Sequence, residues 1–102
     1  MSYFILADKS GDWFEHNVNN LTVDELYKKC NYRKVDDAFK QQCIWKIKYK
    51  KDHYNIAVYG KNTGKGGSEN KTELPPPYDN ILLFGTIAIV NLDDKNNIQS
   101  LT

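Results

Sequence analysis

The chain of 102 residues is predicted to form an α+β fold, with a mainly antiparallel sheet of about four strands and one short helix packed on one face. Three patterns predict this class: two segments that alternate between apolar and polar residues, one continuous apolar segment, and one segment with helical spacing. Hydrophobic residues make up 40% of the chain, enough for one core, and the length leaves no room for two. Residues 1–102 are therefore expected to form a single globular domain.

The N-terminal segment begins with a short apolar run, residues 3–7, that suits an opening strand. Residues 8–12 contain Ser10 and Gly11 and are typical of a turn. Trp13, Phe14 and Val18 follow, with a spacing that fits either an irregular turn or a short second strand. The sequence leaves both alternatives open.

A helix is predicted to begin at Val23, because Thr22 and Glu25 have the spacing of a capping box. Apolar residues then recur at helical intervals, at Val23, Leu26, Tyr27 and Cys30. Acidic residues lie in the first turn and lysines in the last, which is the order that the helix dipole favours. The predicted helix is short.

The middle of the chain predicts an antiparallel hairpin. Residues 42–50 alternate, with an apolar side formed by Cys43, Trp45, Ile47 and Tyr49. Residues 51–53 are predicted to turn, and residues 54–59 to form the second strand. Residues 81–90 are mostly apolar and do not alternate, which predicts a central strand covered on both faces. The segment is too short to span a membrane as a helix. Trp45 and Phe84 are expected in the core.

A long Gly/Pro loop is predicted at residues 60–80, and a fraying tail at residues 92–102. The glycines at positions 64, 66 and 67 surround Lys65 without the spacing of a phosphate-binding loop. Residues 75–78 match the P-P-x-Y pattern that WW domains bind. The favoured interpretation is structural, with the prolines ending the loop and Tyr78 packing on the sheet edge, because a core strand follows within three residues.

No catalytic, cofactor-binding or metal-binding residues are identified. Cys30, Cys43, His16 and His53 are the soft ligands, and their spacing matches no zinc pattern. Both cysteines fall on apolar faces and are expected to be buried, reduced thiols. The carboxylates show no pairing suited to acid-base catalysis. The chain is therefore predicted not to be an enzyme and to need no cofactor.

Charge is distributed unevenly although the net charge is only +1. Residues 28–71 carry twelve Lys or Arg against four acids, and both flanking segments are acidic. Four lysines of the predicted basic hairpin are candidate nucleic-acid ligands, with Tyr49 or Tyr59 available for stacking: Lys46, Lys48, Lys50 and Lys51. The other interpretation is a solvated hairpin side whose lysines discourage edge pairing.

Six short blocks, in this order, resemble small uncharacterised proteins of nucleocytoplasmic large DNA viruses, the giant viruses. They are Leu26–Cys30, Trp45–Lys48, Tyr59–Lys61, Ser68–Lys71, Pro75–Asn80 and Leu83–Gly85. The likeness covers about residues 26–90 and implies an origin, without implying an activity. The family pattern keeps the prolines and the following Asp but not the Tyr, which further weakens the interpretation of Tyr78 as a WW anchor.

The leading hypothesis is a non-enzymatic interaction module, encoded by a large DNA virus, that contacts a protein partner through the 60–80 loop and the adjacent hairpin. The candidate partner-binding residues are Lys61, Lys65, Glu69, Asn70, Lys71, Pro76 and Tyr78. The alternatives are a non-specific nucleic-acid-binding protein that uses the hairpin lysines, and a minor virion structural component. Without a recognisable signal peptide or membrane span, the expected location is the cytoplasm of an infected cell or the virion.

Overall fold

The computed structural model describes residues 2–30, 39–62 and 68–101. In these residues one helix and six strands follow in the order β1 (Ser2–Ala7), β2 (Trp13–Val18), α1 (Val23–Lys29), β3 (Phe39–Tyr49), β4 (Asp52–Lys61), β5 (Phe84–Leu92) and β6 (Ile98–Gln99). Five strands form one antiparallel sheet in the order β2-β1-β5-β4-β3, and β6 pairs with β5. The predicted class of a mainly antiparallel sheet with one short helix is confirmed, but the strand number of about four is wrong.

The first additional strand is β2, which the sequence left undecided between turn and strand. The Asp8 carboxylate accepts hydrogen bonds from the backbone N–H groups of Ser10 and Asp12, at 2.9 and 3.1 Å. Gly11 has a φ of +89°, a conformation that costs glycine little. This tight turn reverses the chain, so that β2 pairs with β1 along its whole length.

The second additional strand is β6, in the tail that was expected to fray. The Asp93 carboxylate accepts hydrogen bonds from the backbone N–H groups of Lys95 and Asn97, at 2.9 and 2.8 Å. The bond from Asn97, and to a lesser extent that from Lys95, lowers the pKa of Asp93, because such bonds favour its charged form. The turn returns the chain to β5, and the N–H of Leu101 then donates to the carbonyl of Tyr3 at 3.0 Å. The tail is therefore tied to the sheet.

The helix matches its prediction. It begins at Val23, and the Thr22 hydroxyl accepts a hydrogen bond from the Glu25 N–H at 3.2 Å. The Glu25 carboxylate lies 3.8 Å from Nζ of Lys28, one turn further along the helix. Leu26 and Tyr27 are buried against the sheet. A local cap and an apolar stripe are thus sufficient to position this element.

The predicted hairpin is also present, with a shifted turn. β3 and β4 pair from Phe39 opposite Lys61 to Tyr49 opposite Asp52, with a bulge between Gln41 and Cys43. The connecting loop is therefore Lys50–Lys51 rather than residues 51–53. Lys50 takes a φ of +58° to close it. β3 begins earlier than the alternating pattern suggested and ends one residue sooner, whereas β4 is longer at both ends.

The central apolar segment forms β5, a central strand as expected, and its neighbours are β1 and β4. The strand begins at Phe84 rather than Ile81, because residues 81–83 belong to the preceding loop. Its residues alternate between two cores on opposite faces of the sheet. Ala88 and Val90 pack toward α1, whereas Ile87 and Ile89 pack toward the loop of residues 68–83.

Two core assignments need correction. Trp45 is half-buried and packs at the margin of the core beneath the 68–83 loop. Phe84 is also half-buried, because it stands at the start of β5, where Glu69 forms an isolated bridge to it. The largest fully buried side chains among the described residues are instead Phe4, Leu26, Ile87, Leu92, Val58 and Val90.

Candidate functional site

The candidate site is an open apolar groove of about 220 Å³ on the face of the sheet opposite α1. Ile5, Ile56 and Ile89 form its floor. They come from β1, β4 and β5, the three strands in the middle of the sheet, and their side chains point to the same face. We call this site the tryptophan groove, after the two tryptophans in its walls.

The walls of the tryptophan groove come from the two edge strands. Trp13 lies at the start of β2, and Trp45 and Ile47 lie in β3. Trp13 is 56% exposed and Ile47 is 40% exposed, although both are large apolar residues. The Trp45 ring is half-buried and lies 6.2 Å from the Tyr78 ring, measured between centroids. The groove therefore offers apolar surface to water on both sides.

The two ends of the groove are formed by chain segments outside the central strands. Glu73, Leu74 and Pro75 line one end, and Leu101 of the C-terminal segment lines the other. Glu73 is the one ionisable side chain among the described lining residues. The groove is thus suited to apolar contacts, with a single negative charge at its rim.

The segment of residues 68–83, here called the strap, is fixed to the sheet by Asn70. The Asn70 amide donates to the carbonyls of Ala7, Asp8 and Gly85 at 3.0, 2.9 and 2.8 Å. Its carbonyl oxygen accepts from the N–H of Thr72 at 2.9 Å. The residue is only 7% exposed. Asn70 was a candidate partner-binding residue, but its side chain is directed inward and holds the strap.

Tyr78 has a comparable role at the other end of the strap. Its hydroxyl donates to the carbonyl of Ile44 in β3 at 2.8 Å, and its N–H donates to the carbonyl of Pro75 at 2.9 Å. The ring packs against the core beneath the strap. Tyr78 therefore packs on the sheet, but against β3 rather than on the edge of the strand that follows the prolines, which begins only at Phe84.

The remaining candidate partner-binding residues are not gathered at one point. Glu69, Lys71 and Pro76 are exposed at separate places on the strap, and Lys61 is half-buried at the end of β4. Lys65 lies outside the described residues, as do the neighbouring glycines at positions 64, 66 and 67. The strap residues that line the groove, positions 73–75, were not among the candidates.

The four candidate nucleic-acid ligands are exposed on the β3–β4 hairpin. Lys46 and Lys48 lie on the side of β3 opposite Trp45 and Ile47, and Lys50 and Lys51 form the loop. The two tyrosines proposed to stack on bases beside these lysines are less well supported. Tyr59 packs against the core beneath α1, and burial raises its pKa. Of Tyr49 only the backbone is described.

Both cysteines are free and buried, on opposite faces of the sheet. Burial raises the pKa of Cys30 to about 12 and that of Cys43 to about 11. Both thiols therefore stay protonated at neutral pH, which disfavours a nucleophilic role. In the described residues, no group of three or more His, Cys, Asp or Glu could hold a metal ion, and no helix is long and apolar enough to cross a membrane.

The groove was not visible in the sequence because its lining comes from separate segments. Ile5 and Leu101 lie 96 positions apart in the chain, yet they border the same space. One signal was available: Trp13 follows a Ser-Gly-Asp turn directly after an apolar strand, an arrangement typical of a hairpin. The pairing of β1 with β2 would have placed Trp13 beside Ala7, on the groove face.

No protein-family model, curated protein or solved structure matches the chain. The viral origin implied by the resemblance therefore stays a prediction.

Proposed function

We propose that the chain is a non-enzymatic interaction module that binds an apolar segment of a protein partner in the tryptophan groove. The observation that carries this proposal is the exposure of Trp13 and Ile47 above an apolar floor. Exposed apolar surface that is contiguous and concave is typical of binding sites rather than of plain protein surface. The groove also joins the two regions expected to contact a partner, since the hairpin supplies one wall and the strap one end.

The strap supports this function because it is ordered before any partner arrives. Asn70 ties it to the ends of β1 and β5, and the Tyr78 hydroxyl ties it to β3. A site whose end is already fixed loses less conformational entropy on binding than one that must first be ordered. Asn70 and Tyr78 thus act as positioning residues, and the contacts themselves come from Trp13, Ile47 and Leu74.

A non-catalytic role agrees with the chemistry of the groove. Catalysis by proton transfer or nucleophilic attack needs a titratable or nucleophilic group beside the substrate. Among the described lining residues only Glu73 ionises, and it stands at the rim. The Cys43 thiol lies in the same core but is buried and held protonated. The lining instead favours burial of apolar side chains.

The proposal is tested by selecting peptides from a random display library on the wild-type protein and measuring their affinities by fluorescence anisotropy. Ile47→Gln removes apolar surface from the groove wall without adding charge. We expect the selected peptides to bind Ile47→Gln at least about 10-fold more weakly than the wild type, equivalent to about 1.4 kcal/mol. The expected peptides contain at least one large apolar residue.

Val23→Gln is the matched control. Val23 is 40% exposed, as Ile47 is, but it lies at the start of α1, away from the groove. Peptides that lose affinity equally on both variants, or on neither, would show that the groove is not the binding site.

Nucleic-acid binding through the hairpin lysines is the alternative function, and its support is the exposure of Lys46, Lys48, Lys50 and Lys51. A labelled single-stranded DNA separates the two functions. Binding to phosphates weakens steeply with salt, because counterions are released, whereas burial of apolar side chains does not. DNA binding at about 10 μM or below, abolished by salt and unaffected by Ile47→Gln, would favour the alternative.

A further inference from the structure

The outer edge of β3 lies beside the tryptophan groove and has a strand on one side only. β3 ends the sheet order, and β4 is its single strand neighbour in the part of the chain that the structure describes. An edge strand presents backbone N–H and C=O groups that another extended chain can pair with. The edge of β3 is therefore a second binding feature, continuous with the groove wall formed by Trp45 and Ile47.

The register of the hairpin shows which backbone groups point outward. Tyr49 and Asp52 flank a two-residue loop, and such a flanking pair is normally hydrogen bonded. Antiparallel pairs alternate between hydrogen-bonded and non-hydrogen-bonded positions, so the backbone groups of Ile44, Lys46 and Lys48 point away from β4. The Tyr78 hydroxyl bound to the Ile44 carbonyl agrees with this direction. Tyr78 covers the edge at Ile44, and in the described part of the chain the stretch from Lys46 to Lys48 is left for a partner.

The two faces of this stretch differ in chemistry. On the groove face, Trp45 and Ile47 are apolar. On the opposite face, Lys46 and Lys48 are exposed. Side chains alternate between faces along a strand, so an added strand would set one row of its side chains beside the groove and the other row beside the lysines.

We propose that the partner segment is an extended strand of alternating apolar and acidic residues that pairs with the edge of β3 from Lys46 onward. Its apolar residues pack against Trp45 and Ile47 at the wall of the tryptophan groove, and its acidic residues face Lys46 and Lys48. This inference rests on the proposed function and adds the conformation and the charge of the partner. The lysines then select the partner, because they disfavour uncharged or basic strands at an edge that would otherwise accept them.

The other edge of the sheet does not have this combination. β2 also has a single strand neighbour among the described strands, but it carries Glu15 and no lysine. An acidic strand beside Glu15 would place like charges together, which is destabilising. Charge complementarity therefore assigns the acidic segment to β3.

The test uses the seven-residue peptide Ac-ELELELE-NH2, titrated into the wild-type chain in an isothermal titration calorimeter. We expect a Kd on the order of 100 μM at low salt, since the interface is short and partly exposed. Methylation of alternate amide nitrogens on the peptide edge that faces β3 removes the paired donors. It should weaken binding at least about 10-fold, equivalent to about 1.4 kcal/mol, whereas methylation of the other edge should not.

Two further arms test the charges. The double variant Lys46→Glu, Lys48→Glu should bind the acidic peptide at least about 10-fold more weakly than the wild type. It should also bind the matched basic peptide Ac-KLKLKLK-NH2. Lys9→Glu combined with Lys95→Glu is the control, because both residues are exposed and lie outside the hairpin. Equal effects of the two double variants would overturn the role of the hairpin lysines.

The failure of this inference is distinguishable from the failure of the proposed function. Library peptides that depend on Ile47 but tolerate methylation of either edge would overturn strand addition and leave groove binding intact. Binding of hexaglutamate or single-stranded DNA as tightly as the alternating peptide would overturn it as well, since a general polyanion surface needs no apolar row. No binding of Ac-ELELELE-NH2 at about 1 mM would also overturn it.

Discussion

The two faces of the sheet are covered by segments of very different kinds. On one face, α1 places Leu26, Tyr27 and Cys30 in the core, and all three are buried. On the other face, the strap has no regular secondary structure and is held by polar contacts from Asn70 and Tyr78. A helix satisfies its own backbone and needs only an apolar stripe, whereas an irregular segment needs side chains to satisfy its backbone groups.

This difference explains why the middle of one face is closed, although Phe14 at its edge is exposed, and why the other face keeps a groove. The strap crosses the sheet near Ala7 and Ile87, and Leu101 contributes at the opposite end of the groove. Between them, Ile5, Ile56 and Ile89 form the floor of an open space. A covering segment that is attached at discrete points can leave apolar surface accessible while the fold stays intact.

The largest expected effect lies on the closed face. Leu26→Ala removes a fully buried side chain from the contact between α1 and the sheet. We expect a loss of about 2–5 kcal/mol in the free energy of unfolding, because a cavity remains beneath the helix. Chemical denaturation measures it. A loss below about 1 kcal/mol would mean that α1 is not the main cover of this face.

On the strap face, Asn70→Ala tests whether a polar residue holds the cover. Three carbonyls lose a donor from the side chain, and we expect a loss of about 2–4 kcal/mol in the free energy of unfolding. Asn80→Ala is the control, because Asn80 is exposed in the same segment. If the two variants have equal stability, the strap is held by its backbone hydrogen bonds and apolar contacts instead.

The contrast between α1 and the strap also explains what the sequence could reveal. Thr22 and Glu25 signal a helix start within four residues, and the hairpin pattern is complete within a continuous stretch. Asn70 bonds to Ala7, 63 positions away, so no local pattern marks it as structural. The two-residue strand β6 was missed because its register depends on the turn at Asp93 and on β5. The groove requires all of these contacts together.

Trp45→Ala tests how open the groove face is. The sequence predicted a core tryptophan, whose replacement by Ala would cost about 3–5 kcal/mol. Because Trp45 is half-buried in the groove wall, we expect Trp45→Ala to lose about 1–3 kcal/mol of unfolding free energy, measured by chemical denaturation. A loss that equals that of Leu26→Ala would indicate that this face is as closed as the other.

The two buried thiols allow the same comparison through pH. Each pKa is raised on folding from 9.0, to about 12 for Cys30 beneath α1 and about 11 for Cys43 beneath the strap. Above pH 9 the unfolded state releases the thiol proton while the folded state keeps it, so stability falls as pH rises from 9 toward these values. We expect each thiol to contribute about 1 kcal/mol of this loss at pH 10.

The measurement compares unfolding at pH 8 and pH 10 for the wild type, Cys30→Ala and Cys43→Ala. Each variant should lose less stability between the two pH values than the wild type does. Thiol counting at pH 8 in the unfolded protein without reductant should give two free thiols, as the separation of the cysteines on opposite faces requires. An unchanged pH dependence in both variants would show that neither thiol is protected by burial.

The smallest effect is expected for Ile47→Gln. Ile47 in the groove wall and Val23 at the start of α1 are both 40% exposed, so the two Gln variants should each lose less than about 1 kcal/mol of unfolding free energy. They differ in the surrounding surface: Ile47 borders the groove, whereas Val23 lies on a helix whose apolar residues Leu26 and Tyr27 are already buried. Matched stability with unmatched peptide affinity would separate binding from folding at this position. A loss of several kcal/mol for Ile47→Gln alone would instead make Ile47 part of the core and remove the wall on which the groove depends.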